Sequence, residues 1–488
     1  MRDSETGGAT LDPADWDGFR KFAHGLVDAM IDRLRDAGEG PVWRPIPEAV
    51  RVDLAEPAPI EPMPLAVLRT ELEERILPYA VGNTHPRFWG WVHGTGTPGG
   101  MLAEMVAAAI NANCGGRDHV GVYLERVVIS WARDWFGWPA SAGGLLVSGS
   151  SMANLLGLAV ARHRHGGGEA LRERGLGGQA LVAYTSTQAH SSIAKAMEVL
   201  GLGREALRGI AVDERHRLDI EALRWRIAED RALGKRPFAV VATAGGVNTG
   251  AFDDLDGLAE LCAREKLWLH VDGAFGALVR LSPQLAPLAQ GIERADSLAF
   301  DFHKWLHVPY DAGCILVRDE ALLRATFGGR PDYLANVGGL SGGEPWPGDL
   351  GIELSRGFRA LKIWWTIKEH GARKLGEAIT GNCAQARRLA NLLRRNPRIE
   401  IAAPVFLNIV CFRWADPQRD AAAQDAMNAE IAVAIQLSGA AVASTTRLNG
   451  RLCLRVCITN HRSRDADFDV FADAVDQVGA RLEAAPAA

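Results

Sequence analysis

The chain has 488 residues, of which 48% are hydrophobic and 23% charged, with a formal net charge of −5. That is enough apolar material for a large core in more than one unit, and the charge balance offers neither a nucleic-acid surface nor a polybasic membrane patch. No uninterrupted apolar run is long enough to span a bilayer, residues 1–17 are polar and acidic rather than a secretory signal, and seven scattered cysteines lack zinc spacing, so a cytoplasmic protein without a metal is expected.

Residues 14–36 place Trp16, Phe19, Phe22, Leu26, Met30 and Leu34 at helical spacing. A Pro-rich stretch, 41–64, leaves little room for regular structure, and a second helix is expected over about 65–77. This N-terminal segment, 1–80, cannot bury its apolar stripe alone. Next comes a loop, 83–94, crowded with Phe88, Trp89, Trp91 and His93 among Gly and Pro. Helices are expected over 101–112 and 120–136.

From 144 to 317 short apolar runs alternate with helical patterns. Strands fall near Leu145, Leu181, Ile210, Val240, Trp268, Leu298 and Ile315, and helices near 151–164, 190–200, 219–233 and 254–265. Alternation on this scale predicts an α/β fold, a mainly parallel sheet with helices on both faces, over residues 81–370. Residues 328–350 hold six glycines between Gly329 and Gly348 and read as a mobile lid. A helix over 356–370 follows. The tail, 371–488, reads helix (371–395), strand (409–414), helix (421–437), strand (452–458), helix (465–484), a small α+β unit.

Four stretches carry chemistry. Residues 144–154 read strand, Ser/Gly turn, helix; Ser150 and Ser151 with the free N–H groups of the helix start suit a phosphate, and suit ordinary capping as well. Residues 188–192 carry His190 after a strand, either a core histidine or a ring able to stack on a flat cofactor and move protons beside it. Residues 267–276 are a buried-type strand ending in Asp272, at the sheet edge where α/β proteins bind ligands. Residues 295–307 end an apolar run in Asp301, His303 and Lys304 before the next run, 313–317. A lysine there is costly unless paired or covalently used, and burial favours the neutral amine that condenses with carbonyls. Asp272 and Lys304 could be a simple salt bridge. They also suit pyridoxal phosphate, which needs a lysine for its aldehyde and an acid for its ring nitrogen.

In order and spacing, the stretches at 150–151, 190, 270–272 and 303–305 resemble the group II pyridoxal-phosphate-dependent amino acid decarboxylases, close to the aromatic-L-amino-acid and tyrosine-type members, over nearly the whole chain. The resemblance implies a fold-type I enzyme and a homodimer. It implies that Lys304 bonds the cofactor, Asp272 pairs with the ring nitrogen, His190 and Ala274 flank the ring, Ser150, Ser151 and His303 hold the phosphate, and Asp301 belongs to the cofactor site. The aromatic loop matches the family's substrate side, so Phe88, Trp89, Trp91 and His93 are candidates for a pocket suited to an aromatic or bulky amino acid. Gly273 and Gly246 stand where relatives carry side chains and are expected to leave room near the cofactor. Counting back from residues 355–362 puts Pro347 near the place of a lid tyrosine that protonates the product carbon in the family, with Tyr333 well upstream and Trp346 unable to act as an acid. An oxygen-dependent route to an aldehyde is therefore the alternative outcome, and a cofactor-free binding scaffold the rival of another class.

Overall fold

The computed structural model describes residues 10–329, 332–334 and 337–484. Seven strands build the large sheet: β1 (Gly143–Val147), β2 (Leu181–Ser186), β3 (Leu207–Ile210), β4 (Arg236–Thr243), β5 (Trp268–Asp272), β6 (Ser297–Asp301) and β7 (Gly313–Val317), in the order β1-β7-β6-β5-β4-β2-β3. Only β7 runs against its neighbours; β6, β5, β4, β2 and β3 pair in parallel. Successive residues of a strand face opposite sides. On β7 Cys314 and Leu316 enter one core cluster, and Ile315 and Val317 enter the cluster on the other side. The near-continuous apolar runs are therefore those of a sheet covered on both faces.

The parallel crossovers bring the carboxyl ends of the strands to one edge. Thr243 closes β4, Asp272 closes β5 and Asp301 closes β6. The reversal from β6 to β7 begins with a single helical turn, Phe302–Trp305, and so holds His303 and Lys304 at that same edge. The second unit is a four-stranded antiparallel sheet, β10-β11-β9-β8, from β8 (Ile399–Ile401), β9 (Ile409–Trp414), β10 (Ser444–Leu448) and β11 (Arg451–Cys457), covered by helices Ala421–Leu437 and Asp465–Ala484.

Several details differ from the sequence reading. The helices expected over 356–370 and 371–395 are present, running over Arg359–Leu393 and parted where Gly371 leaves helical geometry at φ 70°, although the first starts three residues later than expected. The edge strands β8 and β10 were not anticipated, because one has three residues and the other is largely polar. The Pro-rich stretch contains a seven-residue helix, Glu48–Leu54, which starts after Pro47, a residue suited to a helix entry. The helix expected over 65–77 is α-helical only at Leu65–Glu71 and then widens into a π-turn at Leu72–Ile76 before Pro78.

Of the lid, residues 330, 331, 335 and 336 lie outside the described residues. Its far end is anchored rather than loose: the Trp346 indole is 1% exposed, donates to the Gly342 carbonyl at 2.7 Å and lies under the Arg117 guanidinium at 4.6 Å. Helix Trp16–Arg35 buries none of its residues within the single chain. No helix among the described residues is long and apolar enough to cross a membrane.

Candidate active site

A cavity of about 600 Å³ opens over the carboxyl edge of the large sheet, and β11 closes its far side. Ser150, Ser151, His190, Asp272, Ala274, Asp301, His303 and Lys304 all line it, as do Trp91 and His93.

At one corner β1 passes through Ser148 and Gly149 into helix Ser150–Gly166, whose first turn has no side-chain cap. The Ser150 hydroxyl is buried without a hydrogen-bond partner. A helix start with free N–H groups and an idle hydroxyl fits a phosphate. The corner is tight. A Cβ on Gly313 would stand 2.4 Å from the Gly149 Cα, so glycine is required where β7 meets this turn. His303 Nδ1 accepts from the Ala312 N–H at 3.0 Å, which puts the proton of the neutral ring on Nε2. Nε2 lies 3.7 Å from Asp301 Oδ2, and Cε1 would stand 3.5 Å from a Cβ on Gly149, so the ring borders the same corner.

Asp272 is 5% exposed. Its carboxylate accepts from Asn154 Nδ2 at 3.1 Å and from the Ala274 N–H at 3.2 Å. Burial raises its pKa, against the pull of Lys304, His190 and these donors. Lys304 Nζ lies 3.0 Å from Asp301 Oδ2. Burial alone would lower the lysine pKa; the adjacent Asp301 carboxylate, helped by Asp272, outweighs it and holds the amine above its ordinary value. Burial therefore does not neutralise this lysine: its pairing with Asp301 keeps it a cation.

The His190 ring lines the pocket with Nδ1 committed to Ser192, which offers its hydroxyl at 2.9 Å and its N–H at 3.2 Å. A backbone N–H can only donate, so Nδ1 accepts and the proton sits on Nε2, the nitrogen left to the pocket. Burial lowers this imidazole's pKa, so the ring is neutral near pH 7.

The aromatic loop divides. Trp91 and His93 line the pocket, whereas Phe88 is buried against Val42 and Val442, and Trp89 stacks on Phe468 at 4.9 Å with its indole donating to Ser463. The reason is backbone pairing. Trp89 N donates to Val442 O, Val442 N to Arg87 O and Cys457 N to Trp89 O, so residues 87–89 extend the small sheet and bury these two rings beside it. Gly273 leaves no room: a Cβ there would meet that of Ala277 at 2.5 Å. Gly246 has space for one, with its nearest neighbour at 3.5 Å, but does not line the pocket. Pro347 is buried along a different cleft, with Glu125, Arg126 and Glu320. Tyr333 is 78% exposed.

Sequence reasoning missed three contributors. Tyr310 is the one tyrosine of five that lines the pocket among the described residues, its ring 4.2 Å from that of His303. Its position six residues after Lys304, on the same connection, was the available signal. Arg455, 3% exposed, donates to the carbonyls of Val247 and Trp91, while its Nη2 has no partner. An arginine inside the apolar strand β11 was the clue. Asn154, fully buried, touches both Asp272 and Ser192.

Comparison with known proteins agrees with this chemistry. The chain is 35% identical to the aromatic-L-amino-acid decarboxylase of Bacillus atrophaeus, with 91% of this chain and 92% of that one covered. It is 27% identical to a phenylacetaldehyde synthase of Arabidopsis thaliana, over 92% and 94% of the two chains. The crystal structure of Oryza sativa TDC with PLP and tryptamine superposes with a TM-score of 0.88 at 26% identity, covering 97% of this chain and all of that one. The family model described as the pyridoxal-dependent decarboxylase conserved domain matches residues 47–415, so the chain belongs to the pyridoxal-dependent decarboxylases and is a carboxy-lyase that works with pyridoxal phosphate.

Proposed function

We propose that the protein decarboxylates an aromatic or bulky L-amino acid to its amine and CO2. The observation that carries the substrate class is the pocket wall. Trp91, His93, Phe275 and Tyr310 supply aromatic rings to it, and Arg455, whose Nη2 has no hydrogen-bond partner among the described residues, lies beside Trp91. Aromatic walls hold an apolar side chain, and a buried guanidinium without an acid partner suits a carboxylate. Relatives named for aromatic amino acid, tryptophan and tyrosine decarboxylation support the same class.

Bound here, pyridoxal phosphate supplies an electron sink for the bond that breaks as CO2 leaves. Ser150, the helix start and His303 would hold its phosphate. Lys304 is the amine that would hold the cofactor through its aldehyde. Asp272 would keep the proton on the cofactor's ring nitrogen. Arg455 anchors the substrate carboxylate, and the aromatic wall excludes water. His190 Nε2–H and the Tyr310 hydroxyl, kept protonated by burial, are the proton donors within the pocket.

A second outcome is favoured by one observation. Pro347 and Tyr333 do not line the pocket of their own chain, so the expected lid tyrosine has no counterpart there. Slow protonation would let oxygen compete, consuming O2 and water to give aldehyde, ammonia and hydrogen peroxide. We further infer a homodimer, since Trp16 and Phe19 are 57% and 38% exposed on a helix with no buried residue, and a cytoplasmic setting, which suits seven buried free thiols. The test is a panel of L-amino acids with amine, CO2, aldehyde and peroxide all measured. Tryptophan, tyrosine, phenylalanine and DOPA should lead it; a preference for short or acidic substrates would refute the reading of the wall.

A further inference from the structure

Behind Asp272 lies a chain of buried polar groups that runs away from the pocket. Trp268 Nε1 is 2.7 Å from Ser297 Oγ, which is 2.7 Å from His270 Nδ1. His270 Nε2 is 2.8 Å from Asn154 Oδ1, and Asn154 Nδ2 is 3.1 Å from Asp272 Oδ2. Asn154, His270 and Ser297 are each 0% exposed. Helix Ser150–Gly166 makes room for the imidazole by carrying glycine at 157, where a Cβ would stand 2.6 Å from His270 Cε1.

The donors can be ordered by chemistry. An indole N–H only donates, so Ser297 Oγ accepts from Trp268. An ionised Asp272 only accepts, so Asn154 must present its NH2 to it and its Oδ1 to His270. His270 therefore carries its proton on Nε2, and the Ser297 hydroxyl donates to Nδ1. The opposite arrangement turns the Asn154 oxygen toward Asp272 and is compatible only with a protonated carboxyl. Asn154 has a second N–H, spent on Ser192 Oγ at 3.1 Å, the hydroxyl that faces His190 Nδ1. One amide thus orients both the acid expected at the ring nitrogen and the histidine of the pocket.

We propose that Asn154, backed by His270 and Ser297, is a positioning residue that holds Asp272 ionised and aimed, and fixes the Ser192 hydroxyl on His190. Burial alone favours the neutral acid at Asp272. The titratable groups facing it are Lys304, a cation, and His190 from the pocket side, and the donors on it are Ala274 N–H and Asn154. Asn154 is the one of these that depends on the relay. His270, with its pKa pushed by burial to about 3, stays neutral and keeps its single proton in place through the working pH range. A polar network buried this completely sets proton positions when every member is satisfied.

The proposal rests on the decarboxylase reading only for its kinetic arm. In holoenzyme carrying 15N-histidine, with the signal assigned by loss in His270→Gln, His270 should be the Nε2–H tautomer from pH 6 to 8; an Nδ1–H form would overturn the proposal whatever the enzyme's substrate. In Asn154→Leu the bound cofactor's visible absorbance should titrate at higher pH than in wild type, because Asp272 loses a donor to its ionised form. The acid limb of kcat should move up with it, and kcat should fall about 10- to 100-fold, the scale for removing a group that orients a reacting one, with KM within about threefold of wild type. Ser297→Ala, which removes only the far donor, should shift both titrations the same way by less, and it carries the test if Asn154→Leu does not fold. Loss of thermal stability alone, with both titrations and the kcat-to-KM pattern as in wild type, would show the network to be merely structural.

Discussion

Replacing Asp301 with Asn isolates what the ion pair does to Lys304. The pair is 3.0 Å long, with side-chain exposures of 20% for the lysine and 2% for the aspartate. Removing one member of a fully buried pair costs about 3–5 kcal/mol. The pocket opening admits water to the amine and Asp272 still attracts it, so about half of that, roughly 1.5–2.5 kcal/mol, is a reasonable share. The lysine can avoid the penalty by releasing its proton, and at about 1.4 kcal/mol per pKa unit its pKa should fall by one to two units. Since the neutral amine attacks the cofactor's aldehyde, capture near pH 7 should speed up about 10- to 100-fold. The sign for stability follows. With the folded pKa above the unfolded one, the pair stabilises the apoprotein below about pH 10.4 and loses that effect as pH rises through the folded value. The assay is stopped-flow absorbance of pyridoxal phosphate added to apoprotein, from pH 6 to 10. Capture in Asp301→Asn that is no faster than wild type at pH 7 would refute this electrostatic account; slower capture at every pH would instead make Asp301 a binding residue.

Arg455→Gln should raise KM for the amino acid about 10- to 100-fold, the scale of losing a charged hydrogen bond, while cofactor retention is unchanged; an unaltered KM would remove Arg455 from carboxylate binding. Trp91→Ala should lower kcat/KM more for tryptophan than for phenylalanine, by about 1–3 kcal/mol in transition-state terms, and a uniform fall would mark a packing role. Tyr310→Phe should cut kcat about tenfold or more and, under air, raise the share of aldehyde and peroxide; the ratio should revert without oxygen. Acid should unfold the protein early. His270, His461 and His85 are held neutral by burial, with pKa values near 3, 4 and 4. The unfolded chain takes up these protons as pH falls below about 6.5, so stability drops between about pH 6.5 and 4, on the order of 3 kcal/mol for His270 alone. Denaturant midpoints that stay flat across that window would contradict the burial.

The sheet was legible because both faces are covered, so β4 to β7 read as near-continuous apolar runs, and because Asp272 and Lys304 interrupt those runs where the strands end. The aromatic loop was legible only in part. Its composition says that rings are wanted, but Trp91 and Trp89 are parted by a pairing with Val442 and Cys457, some 350 residues away, which no local pattern encodes. Arg455 hid for the same reason, since its use depends on where β11 lies against the large unit. Asn154 hid behind the serines before it. A helix start attracts attention for its hydroxyls, and only the third dimension shows which residue of the second turn looks down on Asp272 and His270. Gly273 was read as empty space, whereas the structure fills that space with Ala277 and Leu298.

Lys304 is the residue proposed to bond the cofactor in a pocket that decarboxylates amino acids. The direct measurement is reduction of the yellow holoenzyme with borohydride, followed by mass mapping, alongside amine and CO2 release from L-tryptophan before and after reduction. The expected result is one phosphopyridoxyl group per chain, on Lys304, with equal release of amine and CO2 before reduction and none after, and neither modification nor turnover in Lys304→Ala. Modification at another lysine, or turnover that survives in Lys304→Ala, would contradict it.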